Sequence, residues 1–248
     1  MITLKSKREI GIIRENGKIL AQTLELIERN IKEGIKTRKL DSLAEDFIRG
    51  RGALPAFKGY RGFPSSICVS VNEQVVHGIP DDRGLVSGDI ISVDVGVYKD
   101  GYYADGAFTF KVGEVSPQAQ RLIDVTRNSL YKGIEFCSEG KNLSDVSFAI
   151  QSHVEASGFQ VVRELVGHGI GKEMHEEPQV PNFGQPGEGP VLREGMVLAI
   201  EPMVNMGSGE IETMEDGWTV VTKDRSLSAH FEHTVTITKN GPEILTRI

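Results

Sequence analysis

The sequence contains little cysteine and no long apolar run, and both shortages restrict what the protein can be. Cys68 and Cys137 are the only two cysteines in 248 residues, so no disulfide framework is present and a reducing, cytoplasmic setting is predicted. No apolar stretch approaches the roughly 20 residues that span a bilayer. The charged N-terminus, MITLKSKREI, lacks the apolar segment of a secretory signal.

Long basic runs and several common catalytic motifs are also missing. The net charge is −7 and the longest basic run is Lys5–Arg8, so sequence-specific nucleic-acid binding is not expected. The segment Gly167–Lys172 is rich in glycine but lacks the GK[ST] ending of a phosphate-binding loop. His175–Gln179 (HEEPQ) does not have the HExxH pattern of a zinc helix, and no GxSxG motif occurs.

The remaining sequence is typical of one globular domain in which helix, helix and strands occur twice in that order. Apolar spacing and capping signals predict helices over 6–31, 37–51, 116–136 and 144–158. Individual motifs repeat too: VHGI at 76–79 is echoed by GHGI at 167–170, and GDIISVD at 88–94 by GMVLAIE at 195–201. We therefore predict a single domain, 1–248, whose two related halves (about 1–112 and 113–248) face each other across a cleft.

A β-hairpin predicted over 89–110 carries two acidic residues. If its turn centres on Lys99-Asp100, then Asp94 lies directly opposite Asp105, with Cβ atoms about 4.5–5.5 Å apart on one face. Two such carboxylates in apolar surroundings repel each other unless they are protonated or bridged by a cation. The alternative is that both are solvated at a strand edge.

Five residues in predicted strands or glycine-rich segments could together form a metal site. They are Asp94, Asp105, His168, Glu201 and Glu232, the last within a strand predicted over 230–238. Four carboxylates and one imidazole suit two divalent cations such as Mn²⁺, Fe²⁺, Co²⁺ or Zn²⁺. Taken singly, each residue could instead be structural or solvated.

Several longer motifs resemble one known family over essentially the whole chain. The motifs are HGIP (77–80), DVG-x8-AD (94–105), VGHGIG (166–171), HEEPQVPNFG (175–184), GMVLAIEPM (195–203) and HFEHT (230–234). They resemble the methionine aminopeptidases, in the shorter, first type. The resemblance implies an α/β (α+β) pita-bread fold, as in creatinase, in which two αβ halves surround a curved antiparallel sheet.

The resemblance also implies a role for each candidate site residue. Asp94 would bind one of two divalent cations, His168 and Glu201 the other, and Asp105 and Glu232 would bridge them. Glu201 would also accept and pass on a proton, as a catalytic residue. His175 would bind the developing oxyanion, and His77 would contact the scissile amide. For His77, a purely structural turn residue is the alternative.

A substrate pocket is implied by further positions. Tyr60, Phe63, Cys68 and Trp218 match positions that hold the methionine side chain in the family, with His77 and His175 beside it and Met174 as a neighbour. Cys68 as a catalytic nucleophile is a weaker alternative, since only His77 could serve as its base. Cys137 is predicted in the core on a helix face, His153 on a helix, and His230 in support of the site.

The function implied is removal of the initiator methionine from nascent proteins and peptides with a small second residue. Nascent polypeptide N-termini would be the partners, with transient ribosome association, and the chain would be a monomer. Two alternatives remain. One is an Xaa-Pro peptidase of the same fold, although those enzymes carry a large extra N-terminal domain. The other is a metal-free peptide-binding protein, which would normally have lost metal ligands.

Overall fold

A computed structural model describes residues 1–247 of the chain. Four helices match the four predicted ones: α1 Lys7–Asn30, α2 Thr37–Gly50, α3 Pro117–Ile134 and α4 Leu143–Ala156. The first strands are β1 Leu54–Pro55, β2 Cys68–Val71, β3 Gln74–Val76, β4 Ile90–Lys99, β5 Tyr102–Lys111, β6 Gln160–Val161 and β7 Val166–Gly169. The others are β8 Glu176–Pro181, β9 Val197–Ile200, β10 Met203–Asn205, β11 Ile211–Thr213, β12 Val220–Thr222, β13 Ser228–His230, β14 His233–Thr238 and β15 Gly241–Ile244.

Two larger sheets, all of whose described strand pairs are antiparallel, carry the candidate site. One contains β2 and β5 on either side of β4, with β1 also on β4, and the other runs β15-β14-β9-β7-β8. A smaller sheet joins the halves, because β12 from the C-terminal half pairs with β3. No helix among the described residues combines the length and the apolarity needed to cross a bilayer.

Each half has its own apolar core. The N-terminal core forms between α1, α2 and the β4–β5 hairpin, whereas the C-terminal core forms between α3, α4 and the strands β6, β9, β10, β13 and β14. The order helix, helix, strands therefore occurs twice. The single-domain assignment and the pseudo-twofold relation of the two halves remain predictions.

Helix α1 packs against the end of the chain through a glycine. It begins with a capping box between Ser6 and Glu9, and one of its faces is buried. A Cβ at Gly17 would collide with the backbone carbonyl of Leu245, which follows β15, whereas a Cβ at Gly11 would meet open space. Only a glycine at position 17 lets the helix approach this closely.

These two glycines give a matched test of that packing. We expect Gly17→Ala to lower the free energy of unfolding by about 1–3 kcal/mol, because backbone atoms must shift to relieve the collision. Gly11→Ala should raise it by about 0.5–1 kcal/mol, because alanine is the better helix former. Urea unfolding followed by circular dichroism measures both changes. Equal effects of the two substitutions would contradict the close approach of α1 to Leu245.

The hairpin register differs from the prediction by two residues. The turn is Asp100-Gly101, whose φ angles of 52° and 82° are both positive, as a type I′ turn requires. Gly96 therefore lies opposite Asp105, and Asp94 lies opposite Ala107. Because side chains alternate with a period of two, the shift leaves both aspartates on the same face as diagonal neighbours.

A side chain from α1 holds this turn in place. The amide of Asn16 is buried and donates hydrogen bonds to the carbonyls of Lys99 and Tyr102, 3.0 and 2.9 Å away. The two carbonyls flank the turn, so the helix fixes the loop at two residues. A prediction that considers the hairpin alone misses this contact.

The strand predicted over 230–238 is broken at Phe231-Glu232. β13 ends at His230 and pairs with β10, while β14 begins at His233 and pairs with β9. At the break, the backbone N–H of Glu232 donates to the carbonyl of Ala107 in β5, at 2.7 Å. The prediction that Glu232 lies within a strand is thus wrong: the chain leaves one sheet there to contact the opposite half.

Candidate metal centre and substrate cleft

The candidate site is a cleft of about 170 Å³ between the two halves. It is lined by all eleven residues that the sequence predicts for the site: Tyr60, Phe63, Cys68, His77, Asp94, Asp105, His168, His175, Glu201, Trp218 and Glu232. Two further residues, Phe57 and Arg61, also line it and were not predicted. Met174, predicted as a neighbour of the pocket, is buried in the N-terminal core.

Four carboxylates from both halves meet at the base of this cleft, and we refer to Asp94, Asp105, Glu201 and Glu232 as the carboxylate cluster. Asp94 and Asp105 come from the hairpin, Glu201 directly follows β9, and Glu232 lies at the break before β14. Asp105 and Glu232 are buried and the other two are half-buried. The alternative of two aspartates solvated at a strand edge is therefore wrong.

His168 joins the carboxylate cluster from β7. Its Nε2 lies 3.9 Å from Oδ2 of Asp105 and 3.7 Å from Oε1 of Glu201. Ligand atoms of Asp105, His168 and Glu232 lie within 4.8 Å of one another, which is close enough to share an ion. Nδ1 of His168 bonds to the carbonyl of Gly169 at 2.9 Å and must donate to it, so Nε2 presents its lone pair to the cluster.

Unpartnered atoms in the cluster fit a divalent cation. Oδ1 of Asp94 and Oε1 of Glu232 are buried and have no hydrogen-bond partner among the described residues. Such atoms are rare in folded proteins and usually indicate a ligand, an ion or a water molecule. Hard oxygen ligands combined with one imidazole nitrogen match the preferences of the divalent ions that the sequence predicts.

The electrostatics of the cluster indicate the same need for positive charge. Burial is the main cause that raises the pKa of Asp94, Glu201 and Glu232 well above the ordinary range, and repulsion by neighbouring carboxylates adds to it. Burial also raises the pKa of Asp105 to about 7, although the Gly106 N–H bond to this carboxylate opposes the shift. Without a cation, the cluster therefore retains protons at neutral pH.

One threonine holds the two halves together beside the cluster. The Thr234 hydroxyl accepts a hydrogen bond from the backbone N–H of Asp105 at 3.0 Å and donates one to the carbonyl of the same residue at 2.8 Å. Together with the bond from Glu232 to Ala107, this contact fixes β5 against the start of β14. Sequence reasoning did not identify Thr234, since the two residues are far apart in the chain.

Two histidines stand above the cluster. His77 has a left-handed φ of 59°, so it is a turn residue, and its side chain lines the cleft. Partial burial lowers the pKa of the His77 imidazole. His175 packs against His168, with 4.4 Å between ring centroids, and its Nδ1 is 2.8 Å from the Tyr60 hydroxyl. Burial, followed by the nearby His168, Arg61 and His77, lowers the pKa of His175 to about 4.

Apolar residues form another part of the cleft wall. Phe63 packs edge-on against Trp218, with ring centroids 5.2 Å apart, and Cys68 lies opposite Asp94 in the β2–β4 pair. Burial and the adjacent Asp94 raise the pKa of Cys68 well above its ordinary value, so it is a neutral thiol and a poor nucleophile. Phe57 packs where a Cβ at Gly96 would stand, only 2.6 Å from its ring.

The remaining cysteine and histidines lie as follows. Cys137 is buried in the C-terminal core, but it follows the end of α3 rather than lying on the helix face. His153 is on α4, as predicted. His230 is buried with Nε2 unpartnered among the described residues and 3.6 Å from Oε2 of Glu201, so it touches the cluster directly. His233 bonds Thr246 and Tyr131 outside the cleft.

Comparison with known proteins identifies the family. The sequence model of metallopeptidase family M24 matches residues 11–239. A methionine aminopeptidase from Clostridium perfringens is 56% identical over 248 residues, with all of both chains covered. The chain belongs to metallopeptidase family M24, in the methionine aminopeptidase branch. The family resemblance deduced from the motifs is thereby confirmed, as is its assignment as a hydrolase.

Solved structures of M24 relatives support the fold. The crystal structure of a methionine aminopeptidase from Thermotoga maritima has a TM-score of 0.99 at 47% identity, with both chains fully covered. A prolidase from Pyrococcus furiosus has a TM-score of 0.80 at 22% identity, covering 99% of this chain and 65% of the prolidase chain, which shows a shared fold alone. The predicted pita-bread fold is confirmed.

Proposed function

We propose that this M24 peptidase removes the N-terminal, initiator methionine from nascent proteins and peptides, with a preference for a small second residue. The observation that carries the proposal is the cleft itself, in which a buried carboxylate cluster and His168 lie beside an apolar wall of Phe63, Cys68 and Trp218. High identity to methionine aminopeptidases over the full chain supports the same activity.

The cluster and His168 would hold two divalent cations. We assign Asp94 to one cation, His168 and Glu201 to the other, and Asp105 and Glu232 to both. The unpartnered oxygens of Asp94 and Glu232 support this assignment. Cations bound there supply Lewis acidity, which lowers the pKa of water and polarises a peptide carbonyl.

The side chains around the cluster would then carry out the proton transfers and the positioning. Glu201 would take the proton of the attacking water and pass it to the leaving amine. His175, uncharged at neutral pH, would donate a hydrogen bond to the carbonyl oxygen as negative charge develops on it. His77 would contact the amide nitrogen of the scissile bond. All three residues line the same cleft, which supports these roles.

The apolar wall would select the first side chain of the substrate. A thioether packs favourably against aromatic rings, and the edge-on pair of Phe63 and Trp218 presents ring edges and faces together. Cys68 supplies a small neutral wall, and Tyr60 closes the pocket near His175. We propose that Phe57, seated over Gly96, adds to this wall.

The cellular setting is part of the proposal. Both cysteines are free and buried, which is compatible with a reducing cytoplasm, where nascent chains carry the initiator residue. We propose that the enzyme acts as a monomer that associates transiently with ribosomes. No membrane or sequence-specific nucleic acid is included among its proposed partners.

A peptide assay tests the proposal against the alternative of Xaa-Pro cleavage, which the shared prolidase fold makes the relevant competitor. The enzyme is stripped with a chelator and reloaded separately with Mn²⁺, Fe²⁺, Co²⁺ or Zn²⁺, and hydrolysis of Met-Ala-Ser is compared with that of Ala-Pro-Ser. We expect activity to disappear on chelation, to return with metal, and to favour the methionine peptide by at least about 100-fold. Metal-independent turnover, or preference for the proline peptide, would overturn the proposed function.

A further inference from the structure

Tyr60 makes a contact that a pocket wall does not require. Its hydroxyl oxygen lies 2.8 Å from Nδ1 of His175, across 115 positions of sequence and between the two halves. Within residues 1–247, this hydroxyl is the one protein group hydrogen-bonded to the His175 ring. Nε2, on the other side of the ring, is thus left for whatever enters the cleft.

We infer that Tyr60 is a positioning residue, whose hydroxyl donates to Nδ1 of His175 and thereby keeps the ring hydrogen on Nε2. The inference rests on the proposed function, because His175 can assist the reaction as a donor only if Nε2 carries that hydrogen.

The chemistry of the two groups sets the direction of this bond. A phenol O–H is a stronger donor than a neutral imidazole N–H, and an imidazole nitrogen is a stronger acceptor than a phenol oxygen. Which ring nitrogen carries the hydrogen is decided by the partner of the other nitrogen. In addition, the guanidinium carbon of Arg61 lies 5.5 Å from the centroid of the Tyr60 ring, so the ring is also held by a cation–π contact.

The backbone on the Tyr60 side is built to hold the hydroxyl in place. Tyr60 stands among three residues with left-handed backbone: Gly59, Arg61 and Gly62 have φ angles of 84°, 49° and 93°. Arg61 is not a glycine and rarely adopts this conformation without a local reason. Hydrogen bonds from Tyr60 N–H to the carbonyl of Phe57, and from Phe63 N–H to that of Tyr60, close the turn.

The loop that carries His175 is held from the other side. The carboxylate of Glu176 accepts hydrogen bonds from the backbone N–H groups of Lys172 and Glu173, at 2.8 and 3.3 Å. Its other oxygen accepts from the ammonium group of Lys5 at 2.6 Å, and Lys5 is buried. Both partners of the Tyr60–His175 bond thus extend from fixed backbone.

Tyr131 offers a matched control, because it forms a second tyrosine–histidine pair outside the cleft. Its hydroxyl lies 3.3 Å from Nε2 of His233, and neither residue lines the cleft. Tyr131→Phe therefore removes a hydroxyl of the same kind from a histidine that takes no part in the proposed reaction.

Nitrogen NMR of zinc-loaded protein with labelled histidines tests the inference directly. Protonated and unprotonated ring nitrogens resonate in separate regions, and the loss of signals in His175→Gln assigns the ring. We expect His175 of the unsubstituted enzyme to carry its hydrogen on Nε2. In Tyr60→Phe it should become a mixture of the two tautomers, and in Tyr131→Phe it should remain unchanged. An unaltered tautomer in Tyr60→Phe would overturn the inference.

Kinetics with Met-Ala-Ser separates positioning from packing. We expect Tyr60→Phe to lower kcat roughly 10- to 100-fold with little change in KM, as for other residues that orient a site group. A role in the pocket wall alone would raise KM and preserve kcat, and that result would also overturn the inference. If the unsubstituted enzyme failed to cleave the peptide, the proposed function would fall, while NMR would still decide the tautomer.

Discussion

Asp105→Asn is expected to remove the activity almost completely while leaving the fold intact. Asp105 is assigned to both cations, and asparagine supplies no negative charge to hold them. Lewis acidity contributes several kcal/mol to such reactions, and each 1.4 kcal/mol is a factor of ten. We therefore expect kcat/KM for Met-Ala-Ser to fall at least about 10³-fold, together with loss of bound metal measured by plasma mass spectrometry. The Gly106 N–H bond to Oδ1 can persist in the variant.

The same substitution should stabilise the metal-free protein, which distinguishes a functional carboxylate from a structural one. Asp105 raises the pKa of three neighbouring carboxylates by repulsion, so removing its charge relieves strain in the empty cluster. At pH 8 we expect the Tm of metal-free Asp105→Asn to exceed that of the unsubstituted protein by a few degrees, about 2–4 °C for each kcal/mol relieved.

Asp89 provides the control for both effects. It is a buried carboxylate outside the cleft that accepts hydrogen bonds from Asn72 and from the backbone N–H of Val86. Asp89→Asn should keep metal content and turnover but lose stability, because one of its bonds is weakened. If both variants lost metal equally, or if Asp105→Asn retained full turnover, the assigned role of Asp105 would be wrong.

The β4–β5 hairpin shows which structural features can be predicted from local sequence patterns. Alternation and the turn residues Lys99-Asp100-Gly101 predict the two strands, and the period of two preserves the shared face of Asp94 and Asp105 although the turn lies one residue later than predicted. Asn16 of α1 bonds the two carbonyls beside the turn and so supports the observed register from outside the hairpin. That contact is tertiary and leaves no trace in the hairpin sequence.

Contacts between the halves were the least predictable part. Residues 230–238 continue the alternation of one strand, yet the chain breaks at Glu232 because its N–H binds Ala107. The Tyr60–His175 bond and the Thr234 contact likewise join residues more than 100 positions apart. The candidate ligands themselves were predicted, because strand-borne acids and the family motifs identify them without these contacts.

Stability of the metal-free protein should fall as pH rises from about 7 to 8, the reverse of its metal-loaded form. Carboxylates of the unfolded chain have pKa values near 4, whereas Asp105 has a pKa of about 7 and its three neighbours lie well above their usual range. The folded state therefore binds more protons than the unfolded state in this window, and stability decreases by about 1.4 kcal/mol per pH unit for each excess proton.

Other titrating groups contribute little to the pH dependence of stability in this range. Below about pH 7 the histidines act in the opposite direction, because burial lowers the pKa of His175, His230 and His233 to between about 3 and 4, whereas histidines of the unfolded chain titrate near 6.5. Above pH 7 most histidines of the unfolded chain are neutral as well, so their opposing effect is small, and below pH 8 cysteines are mostly thiols in both states. The change in stability with pH between these limits therefore arises mainly from the carboxylate cluster.

Thermal unfolding of chelator-stripped protein across this window measures the slope, and zinc-loaded protein is the comparison. Bound cations favour the ionised carboxylates, so the loaded protein should keep its Tm or gain stability as pH rises. Asp105→Asn should show a shallower slope than the unsubstituted metal-free protein, because one titrating group of the cluster is gone. A metal-free Tm that is flat or rising between pH 7 and 8 would mean that the four carboxylates do not share one buried site.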